Sequence, residues 1–209
     1  MTKDIDSKGR TLSAAVDLFR RQGYFGTALQ DILAAAGSPR GSLYFHFPGG
    51  KEQIGEAALK LAGDANAGAI EQAAATAESA EVFLLRLIRG MAAHREKSGF
   101  RDGCPIATTA LETATQSEVL RGTARDAFQA WENEIQRALE RVGITAEDAK
   151  PIATCVLSQL EGALLLARTY RSLEPMRRAE RALTLLLRPV KSKEYGRVVP
   201  RKGLEPSRL

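Results

Sequence analysis

Residues 27–51 run TALQDILAAAGSPRGSLYFHFPGGK, and this stretch decides the fold. Thr27 is followed three residues later by a glutamine, the pattern of a capping box, so we expect a helix to begin there. Gly37 can adopt the left-handed conformation that ends a helix, and Ser38 with Pro39 can cap and open the next one. Two helices joined by so tight a turn form a helix-turn-helix, in which the second helix can enter the major groove of DNA.

The second helix of this pair, here called the reading helix (residues 39–47), is too short to be stable alone in water. Leu43 and Phe47 are four residues apart and predict an inward, packed face, while Gly41 and Phe45 point the opposite way. A glycine inside a helix costs about 0.5–1 kcal/mol relative to alanine. We therefore expect another surface, such as the floor of a DNA groove, to approach the backbone there. The flanks and edges carry side chains that would reach phosphates: Arg40, Ser42, Tyr44 and His46.

Positive charge is concentrated at the two ends of the chain. The formal net charge of +5 divides into +3 over residues 1–51, −3 over residues 52–187 and +5 over residues 188–209. A basic amino-terminal region suits a nucleic-acid partner, because neutralised phosphates supply most of the sequence-independent affinity for DNA. A solvated basic surface would have the same composition, so the charge alone leaves both interpretations open.

Helical periodicity continues along the rest of the chain, and no convincing alternation of β-branched residues indicates a strand. The apolar stripes predict an all-α fold with about nine helices. Pro105 and Pro175 lie near predicted helix starts, where a missing N–H costs little. Pro151 lies just past the first turn if its helix begins near Thr145. Residues 189–209 are basic, carry no apolar stripe and are expected to form a disordered tail.

The composition of this 209-residue chain argues against several protein classes. Two cysteines are too few for a disulfide scaffold and lack the neighbours of a zinc site. The longest apolar runs fall far short of the roughly 20 residues that cross a membrane, and no signal-peptide pattern is readable. Neither a catalytic grouping nor a phosphate-binding glycine loop points to an enzyme. We therefore expect a cytoplasmic, non-enzymatic protein with no cofactor and no metal.

The segment from about Leu12 to Leu59 resembles the DNA-binding domain of the tetracycline-repressor (TetR) family. The most specific part runs from Gly37 to Lys51, around the GSLYFHF core at residues 41–47. Serine and proline stand before the reading helix where the family usually has valine and serine. The resemblance implies DNA contacts, mostly with the backbone, from Thr27, Ser38, Pro39, Arg40, Gly41, Ser42, Tyr44, Phe45, His46 and Lys51.

The rest of the chain resembles the LmrA/YxaF-like subgroup of that family. This resemblance rests on FPGGKE at residues 47–52, GCPIA at residues 103–107 and LEGA at residues 160–163, with Ala167-Arg168 later in the same helix. It implies a homodimeric repressor that a ligand releases from DNA, often at efflux or drug-resistance genes.

Five residues are candidates for lining a ligand cavity: Phe100, Cys104, Phe128, Trp131 and Glu161. Phe128 and Trp131 fit a packed core as well as an apolar cavity wall. Glu161 interrupts an apolar helix, and we favour the edge of a dimer interface over a ligand contact for it. Cys104 is expected to be a small packed thiol rather than a redox sensor. Cys155 is expected to lie in the core.

These features predict a homodimeric transcriptional regulator, most simply a repressor that binds a palindromic operator and is released by a small hydrophobic effector. Residues 1–50 would form the DNA-binding domain, and residues 51–188 the ligand-binding and dimerisation domain, with 189–209 as the tail. The last two helices would build the dimer interface. The helix starting at Lys51 would transmit the signal, since its interior glycines lower its helix preference. A helical-bundle enzyme and a constitutive DNA-binding protein without an effector are the alternatives.

Overall fold

The computed structural model describes residues 2–39, 41 and 45–187, and every regular element in these ranges is a helix. Gly41 and the pair Phe45–His46 are helical as well, within the reading helix. The all-α prediction is confirmed, with a helix count close to the expected nine. The predictions for Arg40, Ser42, Leu43, Tyr44 and the tail 189–209 lie outside the described residues. The eight helices are α1 (Thr2–Gln22), α2 (Leu29–Ala36), α3 (Gly50–Ala75), α4 (Ala80–Lys97), α5 (Pro105–Thr113), α6 (Glu118–Arg141), α7 (Ala146–Tyr170) and α8 (Glu174–Leu186).

Turn-forming and capping residues set several helix boundaries where the sequence predicts them. Gly37 ends α2 in the left-handed conformation, with φ of 59°. The Thr145 hydroxyl accepts a hydrogen bond from a first-turn N–H of α7 at 3.2 Å, so Pro151 lies inside that helix, just past its first turn. Pro105 and Pro175 stand in the first turns of α5 and α8, where their missing N–H groups cost little.

The start of α2 differs from the expected capping box of Thr27 and Gln30. The helix is capped one residue later, where the Ala28 N–H donates to the Asp31 carboxylate at 2.9 Å. The Thr27 side chain is fully buried, and its hydroxyl donates to the Gly23 carbonyl at 2.7 Å. The prediction was wrong because the Thr27 hydroxyl forms its hydrogen bond within the turn that follows α1 and does not cap α2.

A single apolar cluster runs through the described part of the chain, from Phe19, Ile32 and Phe47 at one end to the helices of the carboxyl-terminal half. Helix α1 packs against α2, α3 and α5. It therefore contacts both the helix-turn-helix and the helices beyond it.

Two of the interior glycines of α3, Gly55 and Gly63, permit close packing. A Cβ at Gly63 would lie 3.1 Å from the Cβ of Ala127 on α6, and the Gly63 carbonyl accepts a hydrogen bond from Trp131 Nε1 at 2.8 Å. A Cβ at Gly55 would lie 3.0 Å from the Tyr24 ring. Gly55 and Gly63 thus have a packing role besides lowering the helix preference of α3, whereas a Cβ at Gly68 would meet nothing within 4 Å.

The observed cap yields a stability prediction. Replacing Asp31 with alanine removes the acceptor for the Ala28 N–H and should lower the free energy of unfolding by about 0.5–1 kcal/mol. The matched change Gln30→Ala, one residue away, should alter it by less than about 0.3 kcal/mol, because the Gln30 side chain is exposed. Urea denaturation at fixed protein concentration measures both. Equal losses in the two variants would restore the original capping assignment.

Candidate nucleic-acid interface and ligand cavity

The turn before the reading helix is held from behind by α1. Ser38 Oγ lies 3.2 Å from Ser7 Oγ, and the Thr11 hydroxyl donates to Ser38 Oγ at 3.4 Å. Two residues before Ser38, the Ala36 carbonyl accepts a hydrogen bond from Arg10 Nε at 3.2 Å. Ser38 is therefore placed by the amino-terminal half of α1, and its side chain is partly buried.

The outward face of the reading helix is open. Phe47 is buried, with 2% of its surface exposed, whereas Phe45 has 76% exposed. Gly41 and Pro39 are exposed too, and a Cβ at Gly41 would meet nothing within 4 Å. An exposed large aromatic beside a glycine is unusual for a solvated helix face, which charged side chains normally occupy. Among the described residues, no packing contact explains the glycine.

Two further predicted DNA contacts frame this face. His46 is half-buried, and its ring lies edge-on to that of Phe45, with centroids 5.1 Å apart. Lys51 stands in the first turn of α3, with Nζ 4.2 Å from the centre of the Tyr24 ring. Burial lowers the pKa of Lys51, and Glu112 opposes that shift. The amino-terminal turn of α3 thus combines a lysine with the positive end of a helix dipole.

Thr27 is the predicted contact that the structure removes from this surface. Its side chain is buried and bonded to the Gly23 carbonyl. Its role is to hold the turn between α1 and α2, and a hydroxyl so placed is not available to a phosphate.

A cavity of about 600 Å³ lies among α1, α3, α4, α6 and α7. Most of its wall is apolar, as in other small-molecule sites, and its size falls in their usual range. The apolar wall includes Leu61, Ile70, Leu87, Trp131, Ile135 and Leu164.

One end of the cavity is polar. Cys104, Glu161 and Arg95 all line it. Burial raises the pKa of Glu161, while the neighbouring Cys104 and Arg95 oppose that shift. Burial also raises the pKa of the Cys104 thiol well above its usual value, which keeps it a poor nucleophile.

The predicted cavity residues separate into two groups. Cys104, Trp131 and Glu161 line the cavity. The favoured placement of Glu161 at an interface edge was therefore wrong. Phe128 lies behind the wall, edge-on to Trp131 with ring centroids 5.5 Å apart. Phe100 is outside the lining and stands in the turn after α4, with φ of 61°.

Sequence reasoning missed Arg95, the most deeply buried charged side chain of the polar end, with 2% of its surface exposed. A signal for it existed. Leu84, Ile88 and Met91 form an apolar stripe on α4, and Arg95 continues that stripe at helical spacing. A cation on the buried stripe of a helix indicates a special environment.

A polar joint, here called the Asp102 joint, connects the end of α1 to the loop after α4. The buried Asp102 carboxylate accepts a hydrogen bond from Arg21 Nε at 3.0 Å and lies 3.9 Å from Arg20 Nη1 and 3.5 Å from His94 Nε2. Backbone contacts reinforce it, since the Gly103 N–H donates to the Arg20 carbonyl at 2.6 Å. Arg20 and His94 also line the cavity.

Helices α7 and α8 pack on each other and leave large apolar side chains exposed. Cys155 on α7 is exposed as well, which corrects its expected place in the core. The exposed apolar side chains of these two helices are Leu165, Leu166, Tyr170, Leu185 and Leu186.

The described ranges contain neither a metal-binding cluster nor a membrane-spanning helix. They hold no cluster of three or more histidine, cysteine, aspartate or glutamate side chains able to bind a metal ion. Nor is any helix there long and apolar enough to cross a membrane.

Comparisons with known proteins agree with both halves of this description. Residues 12–58 match the family model for bacterial regulatory proteins of the tetR family, and residues 80–182 match that for the carboxyl-terminal domain of LmrA/YxaF-like transcriptional regulators. The chain is 34% identical over 175 residues to the HTH-type transcriptional regulator LmrA of Bacillus subtilis, covering 82% of this chain and 91% of LmrA. It is 31% identical over 188 residues to YxaF of the same organism, covering 90% and 98%.

The fold is similar to solved structures as well. A TetR transcriptional regulator from Legionella pneumophila superimposes with a TM-score of 0.77 at 22% identity, covering 85% of this chain and 95% of that one. A second, from Chloroflexus aurantiacus, has a TM-score of 0.75 at 26% identity, covering 88% and 96%. These relatives and this fold are those of transcriptional regulators, so the alternative of a helical-bundle enzyme is set aside.

Proposed function

Because the chain belongs to the TetR family of transcriptional regulators and has an LmrA/YxaF-like carboxyl-terminal domain, we propose that it is a homodimeric repressor. It binds a palindromic operator, and a small effector in the cavity releases it. One observation supports the proposal more strongly than the rest. The reading helix buries Phe47 behind it and presents Gly41 and Phe45 outward.

The proposed DNA surface divides into reading and positioning groups. Gly41 lets the helix backbone approach the groove floor, and Phe45 supplies an apolar contact to a base edge. Ser38, Pro39, Lys51 and the first turn of α3 lie where phosphates would fix the register. Arg40, Ser42, Tyr44 and His46 complete the surface, as the family resemblance implies.

Gly41 provides the sharpest test, because stability and DNA binding should move in opposite directions. The change Gly41→Ala adds a methyl group into open space, so stability should hold or rise by up to about 1 kcal/mol. Operator affinity should fall about tenfold or more, because the methyl group holds the helix off the groove. The operator is first selected from a random DNA pool with the unchanged protein, and affinity is then measured by fluorescence anisotropy at fixed salt.

Gly68 is the matched control for Gly41. It lies inside α3, and a Cβ there would also meet nothing within 4 Å. Gly68→Ala should therefore affect stability in the same way and leave operator affinity unchanged. If the unchanged chain selects no DNA sequence, the proposal fails. If Gly41→Ala binds its operator normally, the reading helix does not approach the groove as proposed.

The proposed dimer forms through α7 and α8. Their exposed leucines give the apolar area that a four-helix interface between two copies needs. Two-fold symmetry would then set two reading helices about 34–36 Å apart, or further for a long operator.

A charge in that interface should separate the copies. Leu165 is 61% exposed on α7, and Leu165→Glu should convert the dimer to a monomer, because a buried unpaired carboxylate costs several kcal/mol. The control is Leu111→Glu on α5, where the leucine is 84% exposed and lies away from α7 and α8. Sedimentation velocity reports the mass of each variant. A Leu165→Glu protein that stays dimeric would move the interface elsewhere.

Helix α1 gives the effector a route to the DNA surface. Its Arg20 lines the cavity and takes part in the Asp102 joint, while Ser7, thirteen residues earlier, contacts Ser38. That separation spans about 20 Å along a helix. A ligand that moves the polar end of the cavity would move α1 and, with it, the turn before the reading helix. Transmission thus uses α1 in addition to the expected α3.

The Asp102 joint should matter for DNA binding even without an effector. Asp102→Asn removes the charge that holds Arg21 and Arg20, so α1 should lose its fixed position and operator affinity should fall about three- to tenfold. Asp17→Asn is the control, since Asp17 also pairs with Arg20 but is 55% exposed, and an exposed ion pair contributes little. A folded Asp102→Asn variant with unchanged operator affinity would contradict this route.

A further inference from the structure

Arg95 is a cavity-lining side chain with two buried N–H groups that lack hydrogen-bond partners. Only 2% of its surface is exposed, and it lines the polar end. Its Nε and Nη1 groups have no hydrogen-bond partner among the described residues. An arginine in a protein stays charged and carries five donors. Leaving such donors buried and unpaired is costly, so they indicate a missing acceptor.

Two carboxylates lie near Arg95, those of Asp102 and Glu161, and neither makes a hydrogen bond to its Nε or Nη1. Asp102 is shared among Arg21, Arg20 and His94 in the joint described above. Glu161 lies at the same end of the cavity, and burial raises its pKa. Arg168 adds a second positive charge nearby. These charges surround Arg95 without supplying an acceptor for its Nε and Nη1 groups.

The remainder of the cavity has a different chemistry. Beyond the polar end, the wall is formed largely by apolar side chains such as Leu87, Trp131 and Leu164. Of the other cations on the lining, Arg86 donates to the Thr76 hydroxyl at 2.6 Å, and Arg20 lies close to Asp17 and Asp102. A buried guanidinium with two unpaired donors, beside an apolar wall, suits a negatively charged acceptor on an apolar body.

We propose that the cavity binds a small amphipathic carboxylic acid, with its carboxylate on the Arg95 guanidinium and its apolar body along the Leu87–Trp131 wall. This inference narrows the effector of the proposed regulator to a chemical class and rests on that function, but the binding itself requires no DNA.

The test compares probes that share one apolar body and differ only in the head group. Decanoate, decan-1-ol and decylamine are titrated into the full chain by isothermal titration calorimetry at pH 7.5. Trp131 is the one tryptophan of the chain and lines the cavity, so a change in its emission locates the binding. Decanoate should bind about ten- to a hundredfold more tightly than the alcohol, because a hydrogen bond to a charged group replaces a neutral one. Decylamine should bind most weakly.

Variants assign the preference to Arg95. Arg95→Met keeps the apolar stem and should abolish the difference between decanoate and decan-1-ol, whereas Arg95→Lys should keep part of it. Arg86→Met is the matched control, because Arg86 also lines the cavity but has its own partner, and it should retain the full preference. Glu161→Gln should retain it as well. Thermal melting checks that each variant folds.

Several outcomes would overturn the inference. The inference fails if decanoate does not bind up to millimolar concentration, or if decanoate and decan-1-ol bind equally to the unchanged chain. It also fails if Arg95→Met keeps the full preference for decanoate over decan-1-ol. In the second case Arg95 is simply hydrated. Operator binding is measured separately with the selected DNA. Arg95-dependent decanoate binding by a chain that binds no DNA would refute the regulator and keep the carboxylate site, while the reverse result would refute only the site.

Discussion

A surface helix of only a few residues has to be held in place by whatever lies behind it, and the rest of this structure depends on that requirement. Phe47 anchors the reading helix in the core, and the amino-terminal half of α1 holds the preceding turn through Ser7, Arg10 and Thr11. With the back of the helix secured in this way, its front can carry residues chosen for another surface. Gly41 and Phe45 need not stabilise anything within the chain.

The sequence predicts most of the fold because helix periodicity and turn chemistry are local. The left-handed Gly37 and the position of Pro151 inside α7 follow from nearby residues alone. The errors arise where a distant or competing partner decides. Thr27 bonds back to Gly23 instead of capping α2, and Gly55 and Gly63 serve packing against Tyr24 and Ala127. Such choices depend on tertiary neighbours that a local pattern does not contain.

The cavity shows the same division between local and long-range information. Cys104, Glu161 and Trp131 could be selected from sequence: Cys104 precedes a helix, Glu161 interrupts an apolar helix, and Trp131 is a large aromatic on an apolar stripe. Phe128 satisfies the same criterion yet lies behind the wall, since one helical position decides which side of α6 faces the cavity. Arg95 escaped notice because a charged residue near a helix end is commonly exposed. Its place on the apolar stripe of α4 was the one local signal, and its 2% exposure shows that it belongs to the interior.

Arg20 both lines the cavity and helps to attach α1, two roles that different residues could have held. Its side chain lines the cavity, and its backbone carbonyl accepts the Gly103 N–H while its guanidinium lies beside Asp102. A substitution that reshaped the pocket at this position would also disturb the attachment of α1. Under the proposed function, a change of ligand selectivity would disturb that attachment least at wall residues that take no part in it, such as Trp131 and Ile135 on α6.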